Sequence, residues 1–436
     1  MSREIEDRPL NARKESTLCP WRDPVQVASA FAEEPWMMAF LSDGVGDRGR
    51  WSYVLRKPAQ TYSGAGPMNV VSRMLGPDCK TPDGPPFQGG TAGLIGYSIG
   101  GGKSRDGWPN LAVGQYNALL AFDHANRQVH AIGDAADWLD ARPHDPFEGA
   151  MVVRIAEPDS ASYEAAVAHV VLRIASGEIY QANIARHWHG SLRSGARPFD
   201  LIYRLAKSSP APFAAYLRLP GLALVSNSPE RFIKVTPDGG GGLSAETRPI
   251  KGTAARSHDP VEDCSNAQAL RLSAKDRAEN LMIVDLMRND FSRDCKVGSV
   301  CTPELWRVET FANVHHLVSV VRGELLPGRT ALDLMAHAFP PGSITGAPKL
   351  QAMKVIEAME APRGPFFGSM FWAGDDGALD SSVLIRTVAF TDEGAAWQFE
   401  ARAGAGLVAD SVPALERGET ETKISAILTA LRDDTD

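Results

Sequence analysis

The sequence predicts an α+β fold with antiparallel sheets, on two observations. Short β-type stretches and long helical patterns follow one another in mixed order. They do so without the regular strand–helix alternation that builds a parallel sheet. The chain has 436 residues, enough for a large buried core and more than one domain usually needs. With 44% hydrophobic and 22% charged residues and no fixed repeat, its composition is that of an ordinary globular protein.

The elements follow in order. Residues 1–135 read mostly as short strands, among them "WMMAFLSDG", "GRWSYVLRKP" and "TAGLIGYSIGGG". Residues 136–157, rich in Pro and Asp, read as a loop. A helix follows, because Val167, Val170, Val171 and Ile174 recur at i, i+3, i+4, i+7 and Ser176-Gly177 ends the pattern. "EIYQANIARHW" alternates instead, with Gln181, Asn183 and His187 on one face and Tyr180, Ile184 and Trp188 on the other. "GLALVSNSPERFIKV" reads as strand, turn, strand, and "DGGGG" (Asp238 to Gly242) as a hairpin tip. "SVCTPELWRVETFANVHHLVSVVRGEL" carries a β-branched strand near its end. Long helical patterns lie around "AQALRLSAKDRAENLMIVDLM", "APKLQAMKVIEAM" and "VPALERGETETKISAILTALR".

Composition also excludes classes of function. A net charge of −8 without long single-sign blocks argues against nucleic acid as the main partner. An anionic substrate on such a protein needs a local concentration of Lys, Arg, backbone N–H groups or a metal ion. No apolar run is long enough to span a bilayer, and the polar start lacks the apolar stretch of a signal peptide, so a cytoplasmic protein with no membrane partner is expected. Cys19, Cys79, Cys264, Cys295 and Cys301 show no CxxC spacing and suggest neither disulfides nor a zinc site. "GYSIGGGKS" fails as a phosphate-binding loop, since Tyr97 stands where a glycine is required and "RDGWPN" cannot open a helix. The pairs His187/His189 and His315/His316 lack an acidic or cysteine partner at a useful spacing.

Three places offer chemistry. Asp276 and Glu279 lie three apart on one helical pattern, and Glu416, Glu419 and Lys423 share a face of another. Ile424, Ile427, Leu428 and Leu431 would dock the second helix, in which Gly418 costs about 1 kcal/mol relative to alanine. Either acidic face alone reads as a solvated surface, whereas two that converge would make an oxygen-rich site for Mg²⁺. In "FPPGSITGAPKLQAM", Pro348 suits a first-turn proline, so the backbone from Ser343 to Ala347 would present N–H groups to an anion with Lys349 nearby. The third place is Lys251 in "ETRPIKGTAAR", a lysine held in a tight turn.

Taken in order, "GEIYQANIAR", "SNSPERF", "TRPIKGT", "DRAENLMIVDLMRND", "VHHLVS", "GSITGAPK", "SSVLIRT" and "AGAGLVADSVPALERGETETK" resemble the motifs of the chorismate-utilising enzymes. That family includes anthranilate, aminodeoxychorismate, isochorismate and salicylate synthases. The resemblance covers about Ser160 to Leu431 strongly and the N-terminal third loosely. It implies one chorismate-binding domain over 1–436, built as a large two-layered antiparallel sandwich flanked by helices, with the motifs in 158–432. It further implies that Glu279 and Glu419 ligate Mg²⁺, supported through water by Glu416 and by Asp276, where the family usually has glutamate. Glu230 matches the general acid that protonates the departing 4-hydroxyl. Gly252, Thr253, His316, Ser343, Arg386, Gly404 and Lys423 match the substrate pocket, and Phe366 stands where several relatives carry tyrosine. Mg²⁺ would act there as a Lewis acid on the ring carboxylate. The "FLSD" stretch is similar to the region where anthranilate synthases bind tryptophan.

Two positions separate the reactions of the family. Gln181 stands where isochorismate and salicylate synthases carry a water-activating lysine, and a neutral amide cannot serve as that base. The resemblance therefore implies ammonia as nucleophile. At position 251 anthranilate synthases resemble "PIAGT" and aminodeoxychorismate synthases carry "PIKGT", as here. A neutral Lys251 would add to ring C2 as the 4-hydroxyl leaves, and ammonia would then attack C4 and expel it. The implied product is 4-amino-4-deoxychorismate, a precursor of 4-aminobenzoate and folate. No glutaminase elbow is present, so a separate amidotransferase subunit is expected to deliver ammonia. Two other readings are an anthranilate synthase component I with Lys251 a spectator, and a non-catalytic sensor or partner on the same fold.

Overall fold

The computed structural model describes residues 16–77, 84–257, 259–311 and 314–432; Cys79 lies outside them. Its strands form two antiparallel sheets of 12 and 10 strands. Side chains of both sheets interdigitate in one core: Met38, Tyr53, Leu55 and Leu217 come from the larger sheet, and Leu94, Val113, Phe371 and Leu379 from the smaller. Helices cover the outer face of the larger sheet, where Val27, Leu201, Ile202, Ile424, Ile427 and Leu431 pack on Val54, Phe122, Trp188 and Phe390. The central strands of the larger sheet are apolar on both faces, as a sheet buried on two sides requires. The α+β sandwich flanked by helices is as expected.

Strands from residues 16–132 enter both sheets. In the larger, Met38–Leu41 pairs with Phe213–Leu219, and in the smaller, Gly90–Ile95 pairs with Ser369–Gly374. The segment 136–157 is less of a loop than its composition suggests. It holds a 3-10 turn, Ala136–Asp140, and a strand, Val152–Ala156, that pairs with Gln181–Leu192. Trp138 and Met151 are buried, which anchors a stretch otherwise rich in turn formers.

The helix Ser160–Ala175 forms where the apolar period placed it, with Asp159 capping Ser162 N–H and Val167 and Val170 buried. The long pattern after residue 260 divides into Pro260–Leu272 and Ala274–Ser292, because Ser273 leaves the helical region and its hydroxyl accepts from Asp276 N–H. Serine competes for backbone donors, so it starts a new helix rather than continuing the old one. Pro348 precedes the helix Lys349–Met359 as its cap rather than opening its first turn. Gly346 and Ala347 pair with Ala182 and Gln181, so this backbone adds a short edge strand. A second unexpected strand, Cys301–Thr310, pairs with Val314–Glu324; its alternately exposed residues carry little hydrophobic signal.

"GLALVSNSPERFIKV" is not a hairpin. Leu222–Ser228 belongs to the larger sheet and Arg231–Pro237 to the smaller, so the chain crosses between layers at Pro229 and Glu230. A second crossing runs beside it, from Leu379–Val383 in the smaller sheet to Thr387–Asp392 in the larger. Among the described residues no helix is long and apolar enough to cross a membrane.

Candidate active site

The two crossings bring Glu230 and Arg386 together. Val383 N–H donates to Glu230 C=O at 3.0 Å, and Asn227 N–H donates to Arg386 C=O at 2.9 Å. Ser228 Oγ donates to the Val383 carbonyl at 2.6 Å, and Arg231 makes a two-pronged contact with Asp380 at 2.8 and 2.9 Å. This lattice fixes Glu230, which is 8% exposed and lines a small cavity with Thr247, Pro249, Pro341 and Ser343. Burial raises its pKa, opposed by a hydrogen bond from Ser343 and by the charges of Lys251 and Lys423. Burial thus favours the neutral form of this carboxyl over its ionised form. Burial lowers the pKa of Arg386, which has no carboxylate partner among the described residues. A guanidinium without such a partner can pair with a bound anion.

Lys251 sits on the strand Ile250–Ala255, against Val314–Glu324. Its amine is 3.8 Å from Glu279 Oε2. Burial lowers its pKa and Lys423 adds repulsion, while Glu279, Glu419 and Glu230 oppose the shift. A Cβ built on Gly406 would stand 2.8 Å from Lys251 Nζ and 3.2 Å from Gln181 Nε2, so glycine there leaves the amine its place. Gly252 has φ +82°, and a Cβ on it would meet the Asp276 carboxyl carbon at 2.8 Å; no other residue fits both demands. Thr253 Oγ1 and His316 Nδ1 are 2.9 Å apart. His316 is pushed down to about 4, first by burial and then by the Arg386 charge, so it is neutral at pH 7. Its neighbour His315 points the other way, to Asp263 at 2.9 Å, as strand alternation requires.

The acidic residues converge from two helices, Ala274–Ser292 and Pro413–Arg432. Burial raises the pKa of Glu279, and the charges of Asp276 and Glu419 raise it further. Glu416 is raised likewise by burial and by Glu419, while Ser411 donates to it at 2.7 Å. Lysines partner the cluster: Lys423 Nζ is 2.5 Å from Glu419 and Lys275 Nζ is 3.9 Å from Glu279. Among the described residues, no three His, Cys, Asp or Glu side chains stand at metal-ligand spacing. The donor chemistry nonetheless fits magnesium. The donors are carboxylate oxygens that repel one another, and Mg²⁺ takes one or two such groups and fills its shell with water and substrate oxygens. Among the described residues, and apart from the helix's own backbone, no atom lies within 4 Å of a Cβ built on Gly418, so no packing contact accounts for glycine in this helix.

Other expected residues divide. Lys423 Nζ donates to Gly404 C=O at 3.0 Å, and Ser343 reaches Glu230. Lys349 does not join the site: its amine donates to Asp290 at 2.6 Å and to the Ala338 carbonyl at 2.7 Å, which satisfies a buried ammonium elsewhere. Phe366 is 1% exposed within the core between the sheets, with the Arg402 guanidinium 5.2 Å from its ring centroid.

Several contributors were not assigned from sequence. Asn280, fully buried, donates to the Pro249 carbonyl at 3.3 Å and accepts from Ser319 at 2.5 Å, tying the Glu279 helix to the Lys251 turn. Asn183 shares the inward face of Gln181–Leu192 with Gln181, and its Oδ1 would lie 2.6 Å from a Cβ on Gly404. Both Gln181 amide atoms and Asn183 Oδ1 are buried without a hydrogen-bond partner among the described residues. Alternation placed both side chains on one face; only the fold reveals that they are unpartnered.

A sequence profile described as chorismate binding enzyme matches residues 58–429. Aminodeoxychorismate synthase component 1 of Klebsiella aerogenes is 35% identical over 94% of this chain and 97% of its own length. Anthranilate synthase component 1 of Streptomyces coelicolor is 34% identical, over 94% of this chain and 87% of its own length. The crystal structure of anthranilate synthase component I from Streptococcus pneumoniae TIGR4 shares the fold, with a TM-score of 0.76 at 24% identity over 88% of this chain and 93% of that one. The motif resemblance is borne out, and the chain belongs to the chorismate binding enzyme family.

Proposed function

We propose that this protein aminates chorismate at C4 to give 4-amino-4-deoxychorismate, using ammonia from a separate glutamine amidotransferase subunit. Relatives named for aminodeoxychorismate and for anthranilate are equally similar overall, so the observation that carries the reading is local. The Lys251 amine is seated against Gly406, beside Gln181 and Glu279. An amine in that position has no use in direct attack by ammonia at C2, the route to anthranilate.

In the proposed sequence Arg386 and Lys423 hold the pyruvyl carboxylate, while Thr253 and neutral His316 line the pocket. Mg²⁺, held by Glu279 and Glu419 with Asp276 and Glu416 behind water, would neutralise the ring carboxylate and draw electron density toward it. The Lys251 lone pair forms a bond to C2, the ring π pairs shift, and the C4–O bond breaks. Glu230 supplies the proton with which the oxygen leaves as water. The lysine adduct returns a proton, and ammonia then attacks C4 and expels the lysine from C2.

The test incubates the protein with chorismate, Mg²⁺ and ammonium at alkaline pH and resolves products by mass and retention. Amino-substituted chorismate from wild type, lost in Lys251→Ala while chorismate is still bound, is the expected result. Anthranilate from wild type, or undiminished aminodeoxychorismate from Lys251→Ala, would overturn it.

A further inference from the structure

The buried ion pair of Lys349 and Asp290 stands outside the pocket, yet it braces the loop that carries Ser343 into it. Lys349 Nζ donates to Asp290 Oδ2 at 2.6 Å and to the Ala338 carbonyl at 2.7 Å. Ala338 ends one helix and Lys349 opens the next, so this amine closes residues 339–348 into a loop at its neck. Asp290 is 3% exposed and belongs to the helix Ala274–Ser292, so the same amine fastens the loop to that helix. A buried ion pair often stabilises no more than apolar side chains of like volume. What it adds here is a fixed distance.

The helix that receives the loop also carries the acidic cluster. Asp276, Glu279, Ile283, Met287 and Asp290 recur at intervals of three and four and share one face of it. Ile283 and Met287 line the small cavity that also holds Glu230, Pro341, Gly342 and Ser343. A Cβ built on Gly342 would stand 2.5 Å from Leu286 Cδ2, so the loop lies directly on the helix. The other flank of the loop is held independently. Asn183 N–H donates to the Thr345 carbonyl at 2.8 Å, and Arg363 donates to the Ile344 carbonyl at 2.9 Å. Those bonds keep the loop folded without the lysine, but they do not set its height on the helix.

We propose that Lys349 and Asp290 are positioning residues for the proton donor: their ion pair seats the loop 339–348 on the helix and so holds the Ser343 hydroxyl against the Glu230 carboxyl. This rests on the reading of Glu230 as the acid in the proposed reaction. The hydrogen bond from Ser343 engages one carboxyl oxygen. The other is left to carry the proton that passes to the 4-oxygen as the C4–O bond breaks. A hydrogen bond is lost beyond about 3.5 Å, so a shift of the loop by about 1 Å suffices to undo this arrangement. Lys349 and Asp290 themselves touch neither substrate nor acid.

The experiment measures kcat and the chorismate KM, at saturating ammonium and Mg²⁺, for Lys349→Met/Asp290→Asn, for Ser343→Ala and for the three changes combined. Removing both charges together leaves no unpaired ion in the interior. In Lys349→Met/Asp290→Asn and in Ser343→Ala, kcat is expected to fall about ten-fold, the worth of one hydrogen bond. The chorismate KM of Lys349→Met/Asp290→Asn should stay within about two-fold. The combined variant should be no more than about two-fold slower than Ser343→Ala, since the pair acts through that hydroxyl. Asp290→Glu keeps both charges and lengthens one side chain by a methylene, and its loss of kcat should likewise vanish in the Ser343→Ala background. An unchanged kcat in Lys349→Met/Asp290→Asn, or losses that multiply to about a hundred-fold in the combined variant, would overturn the inference. The 4-hydroxyl leaves in either amination, so kcat can be read on whichever aminated product forms. Anthranilate from wild type thus sinks the C4 reading alone, and aminodeoxychorismate with multiplied losses sinks the positioning role alone.

Discussion

Asn183 meets the protein in two opposite ways. Its backbone carbonyl accepts from Arg363 at 2.7 Å, and that guanidinium, 3% exposed, also donates to the Ile344 carbonyl at 2.9 Å and to both Glu360 oxygens at 3.0 Å. Glu360 in turn accepts from Ala185 N–H at 2.8 Å. A few atoms away, the Asn183 side-chain oxygen has no partner, nor does the Gln181 amide on the same face. One strand thus carries a closed polar network and an open one. Burial that serves stability is matched within the chain, because an unpaired buried group costs about 1–3 kcal/mol. Burial that serves a reaction leaves atoms for a ligand to match.

That contrast can be broken at several points. Glu230→Gln keeps the shape of the open side but removes its acid, and turnover should fall by about 10²–10⁴. The same variant has a stability signature. Glu230 holds its proton to higher pH folded than unfolded, so its ionisation opposes folding. The cost is absent below the ordinary value of 4.5 and grows as pH rises toward the folded one. The thermal midpoint of Glu230→Gln, relative to wild type, should therefore rise with pH over that window; a difference independent of pH would contradict the buried acid.

On the closed side, Arg363→Ala strands the Glu360 carboxylate and the carbonyls of Asn183 and Ile344, and should destabilise the fold by about 3–5 kcal/mol, seen in denaturant unfolding. Gln181→Met sharpens the comparison most. Replacing an unpartnered amide with an apolar group of similar shape should stabilise by about 1 kcal/mol. A loss of stability comparable to Arg363→Ala would mean that Gln181 has structural partners after all.

Much of this was legible in the sequence because it depends on local periodicity. The Val167–Ile174 helix, the alternation through Gln181 and Asn183, and the shared faces of Asp276/Glu279 and Glu416/Glu419 all follow from spacing along one element. The crossing at Pro229–Glu230 did not, since strand–turn–strand looks alike whether the second strand folds back or enters another sheet. The ion pair of Lys349 with Asp290 joins residues far apart in sequence, and nothing near Lys349 announces it. The unpartnered state of Gln181 and Asn183 is a property of everything packed around them. No single stretch of sequence contains it.

The central claim is that Lys251 is the first nucleophile. It is tested most directly by incubating the protein with chorismate and Mg²⁺ without ammonia, quenching, digesting, and weighing the peptide that carries Lys251. The account predicts a fraction of that peptide heavier by chorismate less water, discharged when ammonium is added before the quench. Only unmodified peptide, from protein that goes on to aminate chorismate when ammonium is present, would contradict it.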